Sequence, residues 1–251
     1  IGSNIRKDQP LLGQRLRKAY RNNATQIMAI NAMDYDFTFP LAQKCISVDL
    51  TTELLGVVKA LLAMTGEKAS ASLQQPLSVV EVSAAQKKIA ETLKQAPQAT
   101  VLLGNSAAAH PARAELQALS NLLAKLAGAR IGTLSEGGNS AGAWLAGCVP
   151  HREAGAKPAT VTGMDWQAMM KAGLKGYLLL GIEPELDCIE SAAAVQAMEQ
   201  AECVIALTAY AGKGLMAQAD ILLPVGTFLE TAGSFINAEG HWQTFDGCAS
   251  A

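Results

Sequence analysis

The chain has 251 residues, of which 50% are hydrophobic and 17% charged, and its formal net charge is −2. This composition excludes an intrinsically disordered chain and gives no electrostatic reason to expect nucleic-acid binding. No apolar run reaches the roughly 20 residues that a membrane-spanning helix needs, and no signal peptide is visible. We therefore expect a soluble globular protein without direct membrane insertion.

The first segment predicts a turn followed by a basic helix. The chain begins without Met, and Gly2–Asn4 is typical of the turn after a strand, so we expect a piece of a longer protein. Asp8 followed by Pro10 predicts the N-cap and first turn of a helix that runs to about Arg21. Basic residues near this helix form either a solvated face or a docking face for an acidic partner; they are Arg6, Lys7, Arg15, Arg17, Lys18 and Arg21.

Six short apolar runs predict strands that are covered on both faces, because each run is near-continuously apolar. In chain order they are Gln26–Ile30, Cys45–Val48, Thr100–Leu103, Tyr177–Leu180, Cys203–Leu207 and Ile221–Val225.

Longer segments with helical periodicity separate these runs. Thr51–Met64 is apolar nearly all round and predicts a buried helix. Ser83–Gln86 has the spacing of a capping box, which predicts a helix with one apolar face made of Val82, Ala85, Ile89 and Leu93. Pro111 predicts the start of a helix that ends at Gly128, with an apolar face made of Leu116, Leu119, Leu123 and Leu126. A further helix is predicted at Ser191–Gln200.

The alternation of strands and helices predicts right-handed crossovers and an α/β fold. We expect Rossmann-like, doubly wound, mostly parallel sheets with helices on both faces. Thr65–Pro76 is polar and rich in small residues, so we place a boundary there. It separates a first α/β unit, residues 1–75, truncated at its N-terminus, from a second, larger unit, residues 76–251. The long loop Gly147–Thr162 is expected to be functional or to lie over another chain.

Several common sites are excluded by spacing. The chain has neither the G-x-G-x-x-G fingerprint of dinucleotide binding nor the P-loop of nucleotide hydrolysis. Its five cysteines lie far apart, which predicts free thiols in a reducing compartment, and its three histidines are scattered. The sequence therefore predicts no catalytic residue and no metal site.

Two segments leave a functional interpretation open. The Gly-rich segment Glu136–Gly142 follows a predicted strand and opens a helix, so it is either a tight turn or a phosphate-binding turn. Glu183–Asp187 is rich in carboxylates and follows another strand, so it is either a solvated turn or a ligand-recognition turn.

Four segments resemble the molybdopterin oxidoreductase family. Gly2–Asn4 with Pro10 resembles that family's G-A/S-N-P turn, and Leu103–Gly142 resembles the stretch that ends in N-x-Q-G. Gly181–Pro184 resembles the G-x-N-P turn. The most specific match begins at Ala219–Pro224 and resembles A-D-x-x-L-P, followed by E-x-x-G-T-F-x-N-x-E-G-R-x-Q; its later residues are Glu230, Gly233–Phe235, Asn237, Glu239, Gly240 and Gln243.

The departures from this pattern predict an eroded cofactor site. An Asp-Pro-Arg-like turn is replaced by Asn31–Asp34, the Gln of N-x-Q-G by Ala141, and the Asn of G-x-N-P by Glu183, a carboxylate that would repel a phosphate. The positions that the resemblance assigns to the pterin crevice, all expected to be without cofactor, are Gly2, Ser3, Asn4, Asn139, Gly142, Gly181 and Glu183.

A retained scaffold with an eroded site is similar to the large iron–sulfur subunits of bacterial NADH:quinone oxidoreductase, respiratory complex I. This resemblance implies a non-catalytic region of an enzyme that passes electrons from NADH through flavin and iron–sulfur clusters to quinone. The fragment alone would have no activity. The alternative is a catalytic, pterin-nucleotide-binding segment of a molybdopterin oxidoreductase such as formate dehydrogenase, and a third possibility is a stand-alone α/β module that binds a small molecule.

The resemblance also implies where the cofactors and partners lie. The parent chain would carry its 4Fe-4S and 2Fe-2S clusters upstream of this fragment, and molybdopterin would be absent. The partners would be those cluster-bearing domains and other subunits of the complex, in a peripheral arm on the cytoplasmic side of the bacterial inner membrane.

Overall fold

The computed structural model describes residues 1–249 and has the predicted α/β architecture, with mostly parallel strand pairs. It contains two compact units, of which the first is Ile1–Glu136 and the second begins at Gly137. This division differs from the boundary predicted between residues 75 and 76. The difference has a packing reason, because Leu77 and Val80 are buried in the same core as Leu54 and Leu116.

Unit 1 alternates helices and strands. Its helices are α1 (Ile5–Asp8), α2 (Pro10–Asn23), α3 (Leu50–Thr65), α4 (Ala71–Val79), α5 (Ala84–Gln95), α6 (Asn105–Ala108) and α7 (Arg113–Ala127). Its strands are β1 (Met28–Asn31), β2 (Gln43–Ile46), β3 (Thr100–Leu103) and β4 (Arg130–Thr133).

The strands of unit 1 form two parallel pairs. Strand β1 pairs with β2, with Met28 opposite Gln43, and β3 pairs with β4, with Thr100 opposite Arg130. Ile1 and Gly2 bond to both pairs. The Ile1 nitrogen donates to Leu102 O at 2.8 Å, Gly104 N donates to Ile1 O at 2.8 Å, and Gly2 N donates to Ile30 O at 2.8 Å. The first two residues therefore link the pairs.

Helix α3 is the centre of the core of unit 1, as its apolar sequence predicts. Leu54, Val57, Val58 and Leu61 are fully buried and pack with residues of α5 and α7. Each such side chain contributes about 1.5–3 kcal/mol by leaving water. The same core raises the pKa of the Cys45 thiol to about 12, first by burial and then through the nearby Glu53 carboxylate.

Helix α4 occupies the segment that composition predicted as a boundary. It contains Pro76 and buries Leu77 against α3. Its carboxyl end is held by Lys59, the one charge in the apolar part of α3, whose Nζ donates to Leu77 O at 2.8 Å and to Val80 O at 2.7 Å. A cation that satisfies carbonyls at a helix C-terminus stabilises that end.

A correction applies to the first helices. Asp8 is the last residue of α1 and not the cap of α2, whose N-cap is Gln9. The Asp8 carboxylate instead accepts from Asn4 N at 3.0 Å. The short helix α1 uses Asp8 for its own N-terminal turn, so the carboxylate is not free to cap α2.

The predicted capping box of α5 is confirmed and is tied to α3. Ser83 N donates to Gln86 Oε1 at 2.9 Å, and Gln86 N donates to Ser83 Oγ at 3.2 Å. Gln86 is 4% exposed, and its Nε2 donates to Glu53 Oε2 at 2.8 Å. One side chain thus caps α5 and bonds it to α3.

We predict that Gln86→Ala destabilises unit 1 by about 1–3 kcal/mol, because it leaves Ser83 N and the Glu53 carboxylate without this partner. Urea unfolding followed by far-ultraviolet circular dichroism measures the loss, and hydrogen exchange localises it to α3 and α5. Gln74→Ala is the matched control, since Gln74 is exposed on α4. Equal effects of the two substitutions would contradict the assignment.

Unit 2 is built from shorter elements. Its helices are α8 (Ser140–Ala146), α9 (Trp166–Lys171), α10 (Pro184–Asp187), α11 (Ser191–Glu199) and α12 (Lys213–Gln218). Its strands are β5 (Arg152–Glu153), β6 (Lys157–Pro158), β7 (Gly176–Leu180), β8 (Cys203–Thr208), β9 (Ile221–Pro224), β10 (Gly233–Ile236) and β11 (Trp242–Phe245).

The sheet of unit 2 has the parallel order β7-β8-β9, while β5–β6 and β10–β11 form antiparallel pairs. The six predicted strands all occur within about two residues of their predicted bounds. Burial on both faces does not hold for β7, because Tyr177 and Leu179 are buried while Leu178 and Leu180 are 71% and 73% exposed. Met198 and Leu215, from α11 and α12, pack on the buried side.

The pairs β5–β6 and β10–β11 were not predicted. The first lies within the predicted loop 147–162, and the second lies within the family motif that follows β9. Among residues 1–249, no helix combines the length and the apolar character that crossing a membrane requires.

Candidate functional site

The turn Gly2–Asn4 lies against the residues that follow β3 in unit 1. Gly2 has φ +60°, and a Cβ there would lie 2.6 Å from Ala107 N. A Cβ on Gly104 would lie 2.5 Å from Gly2 O and 2.7 Å from Ser3 Cα. Both positions require glycine because two backbone segments cross with no room for a side chain.

Uncharged polar side chains gather at this edge of unit 1. Ser3 N donates to Asn31 Oδ1 at 2.9 Å, and both residues are buried. Gln9 Nε2 bonds to Ser135 O at 3.3 Å and lies 3.5 Å from Asn105 Oδ1. Ser3 Oγ and Gln9 Oε1 are buried without a hydrogen-bond partner. These groups can bond to a neutral polar ligand, but hydroxyl and amide groups supply neither a strong base nor an activated nucleophile.

Asp49 and His110 lie beyond this polar group. The Thr52 side chain and backbone hold the pKa of the Asp49 carboxyl below its usual range, and His110 adds a smaller contribution. His110 Nδ1 accepts from Ala112 N at 3.1 Å. Both side chains thus bond to the N-terminal turns of their own helical segments, which is a structural use of each.

Asn139 and Gly142 lie together at the start of α8 in unit 2. Asn139 Oδ1 accepts from Ile236 N at 2.8 Å, which fixes the start of this helix to β10. A Cβ on Gly142 would meet the Asn139 side-chain amide. The Gly-rich segment therefore closes on its own asparagine, in agreement with its interpretation as a tight turn.

We predict that Asn139→Ala destabilises unit 2 by about 1–3 kcal/mol, because Ile236 N loses its acceptor. Asn139→Asp keeps an acceptor oxygen and retains most of the stability. Trp144, Trp166 and Trp242 all lie in unit 2, so tryptophan fluorescence during urea unfolding reports on this unit. If both variants lost the same stability, the Oδ1 bond would not be the cause.

Gly181 and Glu183 lie at the carboxyl end of β7, where parallel sheets bind ligands. Gly181 has φ +61° with open space where a Cβ would lie, and its N donates to Leu207 O at 2.8 Å. The carboxylate of Glu183 lies against Gly212, and that of Glu185 lies against Gly214. Glu185 Oε2 is buried without a hydrogen-bond partner. Two carboxylates thus occupy the space over the glycines of α12.

This arrangement does not fit a pterin nucleotide. A phosphate at the carboxyl edge of the sheet needs free N–H groups and positive potential, but here it would meet the carboxylates of Glu183 and Glu185. In the part of the chain that the structure describes, no group of three or more His, Cys, Asp or Glu side chains is arranged to hold a metal ion.

The model of the molybdopterin oxidoreductase family matches residues 1–251, which is the whole chain. The chain belongs to the molybdopterin oxidoreductase family. The predicted resemblance is thereby confirmed.

Two similar proteins place this member of the molybdopterin oxidoreductase family more closely. The G 2 subunit of NADH-quinone oxidoreductase from Rhizobium meliloti strain 1021 is 26% identical over 278 residues, which cover 97% of the chain. The chain spans 32% of the length of that relative. The formyltransferase/hydrolase complex FhcABCD of Methylorubrum extorquens, crystallised with methylofuran, has a TM-score of 0.59 at 15% identity, over 97% of this chain and 68% of that one. This second likeness shows the fold alone.

The family motif after β8 makes local structural bonds. Asp220 Oδ2 accepts from Val204 N at 2.8 Å, and Glu230 Oε2 accepts from Thr227 N at 2.7 Å. Asn237 Oδ1 accepts from Glu239 N and His241 N, both at 2.9 Å, in the turn between β10 and β11. These polar motif residues therefore hold the backbone.

The predicted crevice positions belong to different units. Gly2, Ser3 and Asn4 lie in unit 1, and Asn139, Gly142, Gly181 and Glu183 lie in unit 2. Sequence reasoning missed the contact of Glu185 with Gly214 and the bonds of Gln9. The pair Gly212 and Gly214 was the available signal for the first, but nothing local to Gln9 indicates a partner 126 residues away.

Proposed function

We propose that this chain is a non-catalytic scaffold region of the iron–sulfur subunit of an NADH:quinone oxidoreductase. The observation that carries the proposal is the position of Glu183 and Glu185 over Gly212 and Gly214. These carboxylates disfavour a phosphate at the edge of the sheet where a family member with cofactor would need one. The similarity to the Rhizobium meliloti protein supports the choice of parent complex.

The proposal assigns the redox chemistry to other segments. Flavin, iron–sulfur clusters and quinone would be bound by upstream domains and neighbouring subunits, in a peripheral arm on the cytoplasmic side of the bacterial inner membrane. This chain would stabilise that arm by packing against its own upstream domains and other subunits. The structural bonds of Asp220, Glu230 and Asn237 support this role, because each fixes backbone rather than presenting a polar group to a ligand.

One observation favours a second candidate, a catalytic segment of a molybdopterin oxidoreductase such as formate dehydrogenase. Ser3 Oγ and Gln9 Oε1 are buried without partners in unit 1, and a ligand with matching groups would satisfy them. A stand-alone binding module would use the same two groups. Neither candidate accounts for the paired carboxylates in unit 2.

We predict that the intact parent chain, purified from its native complex, contains near-zero molybdenum and tungsten and no oxidised-pterin fluorescence. Metal analysis by mass spectrometry and fluorescence after acid oxidation measure the two. A formate dehydrogenase treated in parallel is the positive control. Stoichiometric metal and pterin would overturn the scaffold proposal and favour the catalytic candidate.

We also predict that Gly181→Ala in the parent complex lowers stability by about 1–2 kcal/mol and leaves NADH:quinone turnover per assembled complex unchanged. The cost arises because alanine is strained at positive φ. Gly173→Ala is a matched control, since Gly173 has φ +60°, no atom within 4 Å of an added Cβ, and a position before β7. Loss of turnover for Gly181→Ala alone, with assembly intact, would contradict the scaffold role.

A further inference from the structure

A groove of about 770 Å³ lies in unit 1 between strands β1 and β3. Met28 and Ile30 line one side, and Thr100 and Leu102 line the other. Helices contribute further walls through Leu16 of α2, Ile89 of α5 and Leu123 of α7. The groove is therefore bordered by two strand edges and covered largely by aliphatic side chains.

The backbone of β1 presents hydrogen-bonding groups to this groove. Along a parallel strand, alternate residues bond to opposite neighbours. Ile27 O and Asn31 O accept from Ala42 N and Ser47 N on the β2 side, whereas Ile30 O accepts from Gly2 N. The alternation directs the N–H and C=O groups of Met28 and Ile30 away from β2 and toward the groove.

Strand β3 presents its groups in the same way. Ala99 O and Leu103 O accept from Arg130 N and Leu134 N on the β4 side. Leu102 O instead accepts from the Ile1 nitrogen, and Gly104 N donates to Ile1 O. The N–H groups of Leu102 and Ile30 thus point into the groove from opposite sides.

Ile1 and Gly2 already have the bonds of a central parallel strand. Ile1 bonds through both of its backbone groups to β3, and Gly2 bonds through its nitrogen to β1. The backbone direction set by these bonds points from the Ile1 nitrogen into the groove. Burial also lowers the pKa of the Ile1 amino group to about 6, and a peptide nitrogen at that position would carry no charge.

We propose that this groove binds an extended aliphatic segment that is continuous with Ile1 and runs parallel to β1 and β3. The segment joins the two strand pairs into one sheet with the order β2, β1, added strand, β3 and β4. It must be apolar at successive positions, because helices border the groove on both faces. A relative of which this chain spans 32% has ample chain to supply such a segment. The proposal is independent of the function proposed above.

The test compares extensions fused to the Ile1 nitrogen. One carries six residues of alternating valine and isoleucine, and the matched control carries six residues of glycine and serine. In a parallel ladder, the segment gives a carbonyl to Ile30 N and another to Leu102 N. We expect amide exchange at Ile30 and Leu102 to slow about tenfold or more with the aliphatic extension, and a higher Tm.

Internal and covalent controls sharpen the result. Ala29 and Val101 bond to β2 and β4, so their amide exchange should change little by comparison. Proline at the second residue before Ile1 removes the N–H that would bond to Thr100 O and should lose much of the protection. Equal protection from both extensions, or protection that rises with protein concentration as a second copy would cause, overturns the proposal.

A second measurement covers the case in which the aliphatic extension aggregates. In the intact parent protein, the amides of Ile30 and Leu102 must exchange as slowly as those of Ala29 and Val101. Fast exchange at Ile30 and Leu102 in that protein overturns the proposal directly.

Discussion

The backbone crossing of Ile1 and Gly2 over Gly104 is the constraint on which unit 1 depends. Strand pairs β1–β2 and β3–β4 are each two strands wide, and a two-stranded sheet is marginal by itself. The bonds from Ile1 to Leu102 and Gly104, with the bond from Gly2 to Ile30, bring the two pairs under one set of helices. The fully buried residues of α3 can then form a single core.

Charge distinguishes the candidate edge of unit 1 from that of unit 2. The edge of unit 1 is lined by the neutral groups of Ser3, Gln9, Asn31 and Asn105, which bond mainly to backbone and to one another. The edge of unit 2 is lined by carboxylates over the glycines of α12. An anionic ligand therefore meets repulsion in unit 2 and no compensating cation among the groups just named in unit 1. This electrostatic pattern suits a structural role better than nucleotide binding.

Local patterns predicted the elements well because their causes are local. The apolar runs gave β3 at its observed bounds, Ser83 and Gln86 gave the start of α5, and Gly128 gave the end of α7. The division after Glu136 was missed because it depends on α4 packing into the α3 core, where Lys59 satisfies the carbonyls of Leu77 and Val80. Composition indicated polarity in this segment but not its long-range partners.

The candidate site was predicted in outline by resemblance, while its geometry required the structure. Glu183 was expected to oppose a phosphate, but the parallel role of Glu185 depends on how α10 packs against α12. The hairpin β10–β11 was missed although Asn237 and Gly240 form a recognisable turn signal between two short apolar segments. The family motif there was interpreted as a resemblance and not as a strand pair.

The retention of cofactor-family glycines has a physical explanation in backbone packing. A Cβ on Gly2 would collide with Ala107 N, and a Cβ on Gly104 would collide with Ser3, whether or not any nucleotide binds nearby. The same absence of a side chain that would let a phosphate approach also lets two chain segments cross. Glycines in this motif therefore report the fold, and the side chains around them report the ligand. On that criterion Glu183 and Glu185 carry more functional information than all of the motif glycines.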